Sequence, residues 1–117
     1  MNSAAKSVYY FGFYLLILSA ALTVFPNLLL STFLLPETNE VWIRVVGVLA
    51  FNIGIIYVVM APTNHNLFLT VTVYLRAAIL IWFIAFVVIG WAPTMLIMFG
   101  VVDFAGALWT YLEMKKK

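Results

Sequence analysis

Two charged residues interrupt long apolar stretches of this sequence, and together they could form a buried polar site. Arg76 lies within the apolar run 67–90, and Asp103 lies within the run 94–114. A guanidinium and a carboxylate can form paired hydrogen bonds, whereas a lone charge inside a membrane costs at least about 2.5–3.5 kcal/mol. At a helical rise of about 1.5 Å per residue, they lie at similar depths, roughly 21 and 17 Å from the turn at 90–93. We therefore predict that the two side chains meet, directly or through one water molecule.

Two threonines are placed to extend this polar site. Thr72 precedes Arg76 by one helical turn and shares its helix face. In the fourth run, residues recur at spacings of three and four, which puts them on one face: Gly100, Asp103, Ala107 and Thr110. Small residues around a polar one allow helices to approach closely. The predicted polar core thus includes Thr72 and Thr110.

The second run, 41–61, contributes two further candidates, Arg44 and Asn52. Arg44 lies near the end of its run, and three alternatives stay open for it. It can pair with Glu40 one turn earlier, extend to the membrane interface, or reach inward towards Asp103. Asn52 is predicted to hydrogen-bond a neighbouring helix.

Several classes of chemistry find no support in the residues present. The chain has no cysteine, which removes thiolate chemistry and cysteine-ligated metal centres, and its one histidine, His65, lies in a turn. No phosphate-binding glycine loop or nucleic-acid motif occurs. We therefore predict no catalytic residues, no metal site, no cofactor and no nucleic-acid partner. The polar core remains open to three readings: a structural lock between helices, the polar part of a ligand site, or part of a proton or ion path.

The elements that must position these residues are membrane-spanning helices. Hydrophobic residues make up 67% of the chain and charged residues 9%, against about 25% charged in typical soluble domains. Four apolar runs, 8–25, 41–61, 67–90 and 94–114, each approach the roughly 20 residues needed to cross a bilayer as a helix. The sequence predicts an all-α fold: a single domain, 1–117, forming an antiparallel bundle of four transmembrane helices.

Pro26 interrupts the first run, because proline removes a backbone donor and disturbs the preceding turn. Residues 27–35 are apolar but too few to span again. They are predicted to form a short interfacial or kinked segment.

The distribution of lysines predicts the orientation. Lys6 and the tail 115–117 fall on one side of an even number of spans, whereas the first loop carries Glu37 and Glu40. By the positive-inside rule, both termini face the cytoplasm. The predicted location is the inner membrane of a bacterium.

The order of several short motifs carries a family resemblance. The first run ends in VFPNLL at 24–29, the second begins with VWIRVVG at 41–47 and contains Tyr57, the third holds an arginine, and the fourth reads FGVVDFAGALWT at 99–110. This pattern resembles the small four-helix DoxX-like and BphX-like bacterial membrane proteins over nearly the whole chain. The resemblance implies a four-helix bundle. Because DoxX is named for a membrane subunit associated with thiosulfate:quinone oxidation, it also implies an alternative function, a subunit of a quinone-linked oxidoreductase.

From the residues themselves we expect a small membrane protein that is not an enzyme. It would bind an apolar small molecule or lipid between its second, third and fourth spans, or act as an accessory subunit of a membrane complex. Its partners would be the bilayer, another membrane protein or further copies of itself. An oligomeric transporter is a third alternative.

Overall fold

The computed structural model describes residues 1–116 and is helical throughout. Its elements are α1 (Ser3–Val24), α2 (Pro26–Thr32), α3 (Trp42–Met60), a short 3-10 turn (Ala61–Thr63), α4 (Asn66–Ile89) and α5 (Leu96–Lys115). No strand occurs in the part of the chain described. Four helices are long and apolar enough to cross a membrane: α1, α3 with its 3-10 turn, α4 and α5. The prediction of an all-α fold with four such helices is confirmed.

The break between α1 and α2 falls at the predicted proline. Phe25 leaves the helical region with φ −136° and ψ 70°, and Pro26 occupies the first position of α2. Proline suits this position because the first helical N–H has no partner within the helix. Residues 26–32 therefore form a separate short helix within the region 27–35 that was predicted to be interfacial or kinked, and its place at the interface stays a prediction.

The ends of α4 are set by two local features. His65 precedes the helix, and its Nδ1 accepts a hydrogen bond from the Phe68 N–H at 3.4 Å. At the other end Gly90 adopts φ 96°, a left-handed conformation that glycine takes without a steric penalty. These caps fix the length of the helix that carries Arg76.

The helices pack as two antiparallel pairs. α1 lies along α3, α4 lies along α5, and the pairs meet mainly through α1 and α5. In the first pair glycines bring the backbones together: a Cβ on Gly54 would lie 2.9 Å from Leu16 Cδ2, and one on Gly12 would lie 2.9 Å from Tyr57 Cβ. In the second, Gly100 packs against Leu80. The first helix is thus central to the bundle.

The start of α1 and the end of α5 lie at the same end of the molecule. The Asn2 N–H donates to Asn64 Oδ1 in the α3–α4 turn at 2.9 Å. Met114 packs on the core cluster that contains Ala4. At the opposite end the rings of Phe33 and Phe99 lie 5.0 Å apart. We call these the terminal end and the α2 end.

The outward surface of the bundle is apolar. In each of the four long helices, no more than 28% of the most apolar 18-residue stretch is buried inside the protein. Large side chains such as Ile17 (74% exposed), Ile81 (70%) and Val88 (79%) point outward. Contiguous apolar surface on this scale suits contact with lipid.

Candidate functional site

Arg76 is held inside the bundle by threonines. The residue is 2% exposed. Its Nε donates to the Thr72 carbonyl oxygen at 3.1 Å, and its Nη2 donates to Thr72 Oγ1 at 3.2 Å and Thr110 Oγ1 at 2.9 Å. The bonds to Thr72 arise within α4, one turn earlier, and the bond to Thr110 crosses to α5. The structure therefore brings together three of the predicted polar-core residues.

A serine on α1 joins this network. Ser7 Oγ lies 2.5 Å from Thr110 Oγ1, and both residues are fully buried. Ser7 Oγ also lies 2.7 Å from the Ala4 carbonyl, and Thr110 Oγ1 lies 3.1 Å from the Gly106 carbonyl. Each hydroxyl has a single proton, so one of the two donates to the other and Thr110 still accepts from Arg76. The network ties α1, α4 and α5 together through one oxygen atom.

Aromatic rings complete the surroundings of the guanidinium. The Arg76 Cζ lies 4.9 Å from the centre of the Phe11 ring and 5.8 Å from that of Tyr57. Cations within about 6 Å of a ring centre are attracted by the ring's electron density, more strongly where water is excluded. α1 and α3 thereby contribute to holding a charge carried by α4.

One nitrogen of this arginine has no partner. Nη1 of Arg76 is buried and makes no hydrogen bond to the described residues. It faces Gly106, where an added Cβ would lie 3.2 Å from it. Gly106 follows Asp103 by three residues, less than one helical turn. A water molecule or a ligand oxygen can occupy the position beside such an unsatisfied buried N–H.

The predicted direct ion pair between Arg76 and Asp103 is wrong. Within residues 1–116 the ion pair present joins Lys116 and Glu113, at 3.1 Å. Helical side chains tilt towards the N-terminus of their own helix, and α4 and α5 are antiparallel. Arg76 accordingly turns towards the terminal end and Asp103 towards the α2 end. A link through one water molecule stays a prediction.

Asp103 instead lines an apolar cavity of about 270 Å³. Its wall comes from all five helices and the loop after α2 and is otherwise largely apolar; it includes Leu18, Leu22, Leu30, Val46, Phe83 and Phe99. The expected site lay between the second, third and fourth spans with Arg76 and Asp103 at its polar end. The structure differs in two respects: α1 and α2 contribute to the wall, and Arg76 is not part of the lining.

The Arg44 side chain contacts the C-terminal end of α1. Its Nη1 donates to the carbonyl oxygens of Thr23 at 2.6 Å and Val24 at 3.2 Å. Carbonyls in the last turn of a helix lack partners within the helix, and a cation there is favourable. Within residues 1–116 Arg44 forms no ion pair with Glu40 or Asp103, and its extension to the membrane interface stays a prediction. Arg44 caps a helix and lies outside the Arg76 network.

Asn52 faces away from the bundle. It is exposed, and the side-chain hydrogen bonds of α3 come from Arg44. Gly47 and Gly54 define the face of α3 that contacts α1, and at about 100° per residue Asn52 lies roughly 160° from Gly54 around the helix. The predicted hydrogen bond from Asn52 to a neighbouring helix is therefore wrong within this chain.

The sequence interpretation missed three residues around Arg76. Ser7 and Phe11 lie on α1, which was not expected to surround this site, and Tyr57 lies on α3, the second span, which was. Ser7 and Phe11 are four residues apart, and this spacing places them on one face of the first helix.

As for metals, residues 1–116 contain no group of three or more His, Cys, Asp or Glu side chains that could hold an ion.

No family model, curated protein or solved structure matches this chain.

Proposed function

We propose that this chain is a multi-pass membrane protein that binds an apolar ligand or lipid in the cavity lined by Asp103. The observation that carries this proposal is the cavity itself: about 270 Å³ of space with a largely apolar wall and one carboxyl group, that of Asp103. Sites for small molecules are typically apolar hollows with a few polar groups that fix orientation.

The size and chemistry of the cavity narrow the class of ligand. Its volume lies just below the usual range of about 300–1,000 Å³, so it suits one chain or ring of an amphiphile better than a whole lipid. Asp103 offers oxygen atoms to a hydroxyl or amine of the ligand. An acyl or isoprenoid chain that carries such a group can pack against the apolar wall and hydrogen-bond Asp103 at the same time.

The proposed location is the inner membrane of a bacterium, with both termini in the cytoplasm. Supporting this, the two ends of the chain lie together at the terminal end. Lys6, Lys115 and Lys116 belong to the same end, whereas Glu37 and Glu40 precede α3 at the other. Under the positive-inside rule the cavity then opens in the outer half of the bilayer.

The resemblance to DoxX-like proteins supports a second candidate, a subunit of a quinone-linked oxidoreductase. The specific observation in its favour is again the cavity, because a quinone combines a small polar ring with an isoprenoid chain. A partner subunit would supply the redox cofactor. The chain could equally be an accessory subunit without redox chemistry, because the apolar outer surface of its helices can contact another membrane protein.

Native mass spectrometry of the purified protein in mild detergent tests the proposal. We expect a bound amphiphile in the parent, reduced or lost in Ala50→Leu, because Ala50 lines the cavity and a larger side chain fills it. Ala105→Leu is the matched control, since Ala105 is exposed on α5 and does not line the cavity. Equal occupancy in the parent and A50L would refute binding at this site. A bound quinone would favour the oxidoreductase candidate, and lipid alone would favour the first.

A further inference from the structure

The face of α3 opposite α1 carries a regular, largely apolar pattern that stays exposed among residues 1–116. We call it the Asn52 face, and it consists of Val45, Val48, Asn52, Ile55 and Val59. The spacings of three, four, three and four residues are those of the a and d positions of a heptad, which line the contact between supercoiled helices. The four apolar members are between 38% and 64% exposed.

The position of Asn52 within this face is unusual. It lies ten residues after Trp42 in a helix of 19 residues, so it sits near the middle, about 15 Å from the start of α3 at 1.5 Å per residue. In the proposed membrane location that depth is hydrocarbon, which offers no partner for an amide. Placing an amide in hydrocarbon without hydrogen bonds is unfavourable, so the Asn52 side chain on the outer surface needs a hydrogen-bonding partner.

A second copy of the same chain supplies that partner by symmetry. Both copies insert in the same direction, so a two-fold axis along the membrane normal brings the same residues together at the same depth. A carboxamide carries both donors and an acceptor, so two asparagines can hydrogen-bond each other. An unrelated partner would need a polar side chain at this depth and spacing.

We propose that this protein forms a two-fold dimer through the Asn52 face, with the two Asn52 amides paired near the middle of the membrane. A single asparagine at an a position between β-branched residues fixes register and oligomeric state in supercoiled helices. The arrangement leaves the Asp103 cavity free, because no residue of the Asn52 face lines it. The inference rests on the proposed membrane insertion but not on ligand binding.

The first test measures dimer dissociation in liposomes by energy transfer between labelled copies at increasing lipid dilution. Asn52→Val should weaken the dimer roughly 3- to 30-fold, the factor that corresponds to an interhelical polar contact of about 0.6–2 kcal/mol. Asn52→Gln keeps the amide and should retain much of the association. Because the residue is exposed, both variants should keep the helical content of the parent.

The second test locates the contact by oxidative cross-linking, which the absence of native cysteine makes simple. Val48→Cys should give a disulfide-linked dimer in the membrane. Ile81→Cys, a similar distance from the α2 end but on the outer surface of α4, should not. A parent that inserts and binds its amphiphile yet stays monomeric would overturn this inference and leave the proposed function standing. Equal association of N52V, or cross-links in I81C but not V48C, would also overturn it.

Discussion

Replacing Thr110 by valine is the sharpest test of the network around Arg76. Valine keeps the shape of threonine but removes the hydroxyl that accepts from Arg76 Nη2 at 2.9 Å and contacts Ser7 Oγ at 2.5 Å. A hydrogen bond to a charged group contributes about 1.5–3 kcal/mol and a neutral one about 0.5–1.5. Because Arg76 would retain hydrogen bonds only to Thr72, we expect Thr110→Val to lower the free energy of unfolding by about 2–4 kcal/mol.

The measurement is unfolding by increasing SDS in mixed micelles, followed by circular dichroism and tryptophan fluorescence. Thr110→Ser keeps the hydroxyl and should cost only about 0.8 kcal/mol for the lost methyl group. Thr63→Val is the matched control, because Thr63 is exposed and its hydroxyl bonds only to the Met60 carbonyl within its own turn. It should change stability by less than about 0.5 kcal/mol. If T110V were as stable as T63V, the network would not hold α1, α4 and α5 together.

Three further predictions concern packing, capping and orientation. Gly54→Leu should destabilise the α1–α3 pair by about 1–3 kcal/mol in the same SDS assay, because even a Cβ there would lie 2.9 Å from Leu16 Cδ2; unchanged stability would show that the helices can separate freely. Arg44→Ala leaves the last carbonyls of α1 uncapped and should cost about 0.5–1.5 kcal/mol, whereas Lys6→Ala, a charge removed elsewhere, should cost less; equal effects would refute the capping role. Reporter fusions after residue 117 and within 37–40 should read cytoplasmic and external respectively, and the reverse pattern would refute the proposed orientation.

The sequence predicted the helices well because the signals for them are local. Run length and hydropathy locate the four long helices, and Pro26 and Gly90 mark the breaks at their ends. Thr72 and Arg76 could be grouped in advance since both lie on one helix at a fixed spacing. These features depend on residues within one or two turns of each other.

The contacts between helices were harder to predict. Matching depths suggested that Arg76 and Asp103 meet, but depth along the membrane does not include the opposite tilt of side chains on antiparallel helices. Which helices are neighbours is also not encoded in the hydropathy of each run. The close approach of α1 to α3 at Gly12 and Gly54 made the first helix central, and this brought Ser7 and Phe11 to the arginine.

The split of the arginine's hydrogen bonds between two helices has a consequence for biogenesis. Thr72 lies only four residues before Arg76, whereas Thr110 lies 34 residues after it. In the proposed membrane location, the guanidinium would enter the bilayer during synthesis with its Thr72 bonds already available, while the helix bearing Thr110 is still being made. The hairpin of α1 and α3 is made before α4, so Phe11 and Tyr57 can contact the Arg76 guanidinium before α5 is made. Arrival of Thr110 then closes the network, so α5, which is made after the other four helices, completes the contacts of the arginine within the bundle.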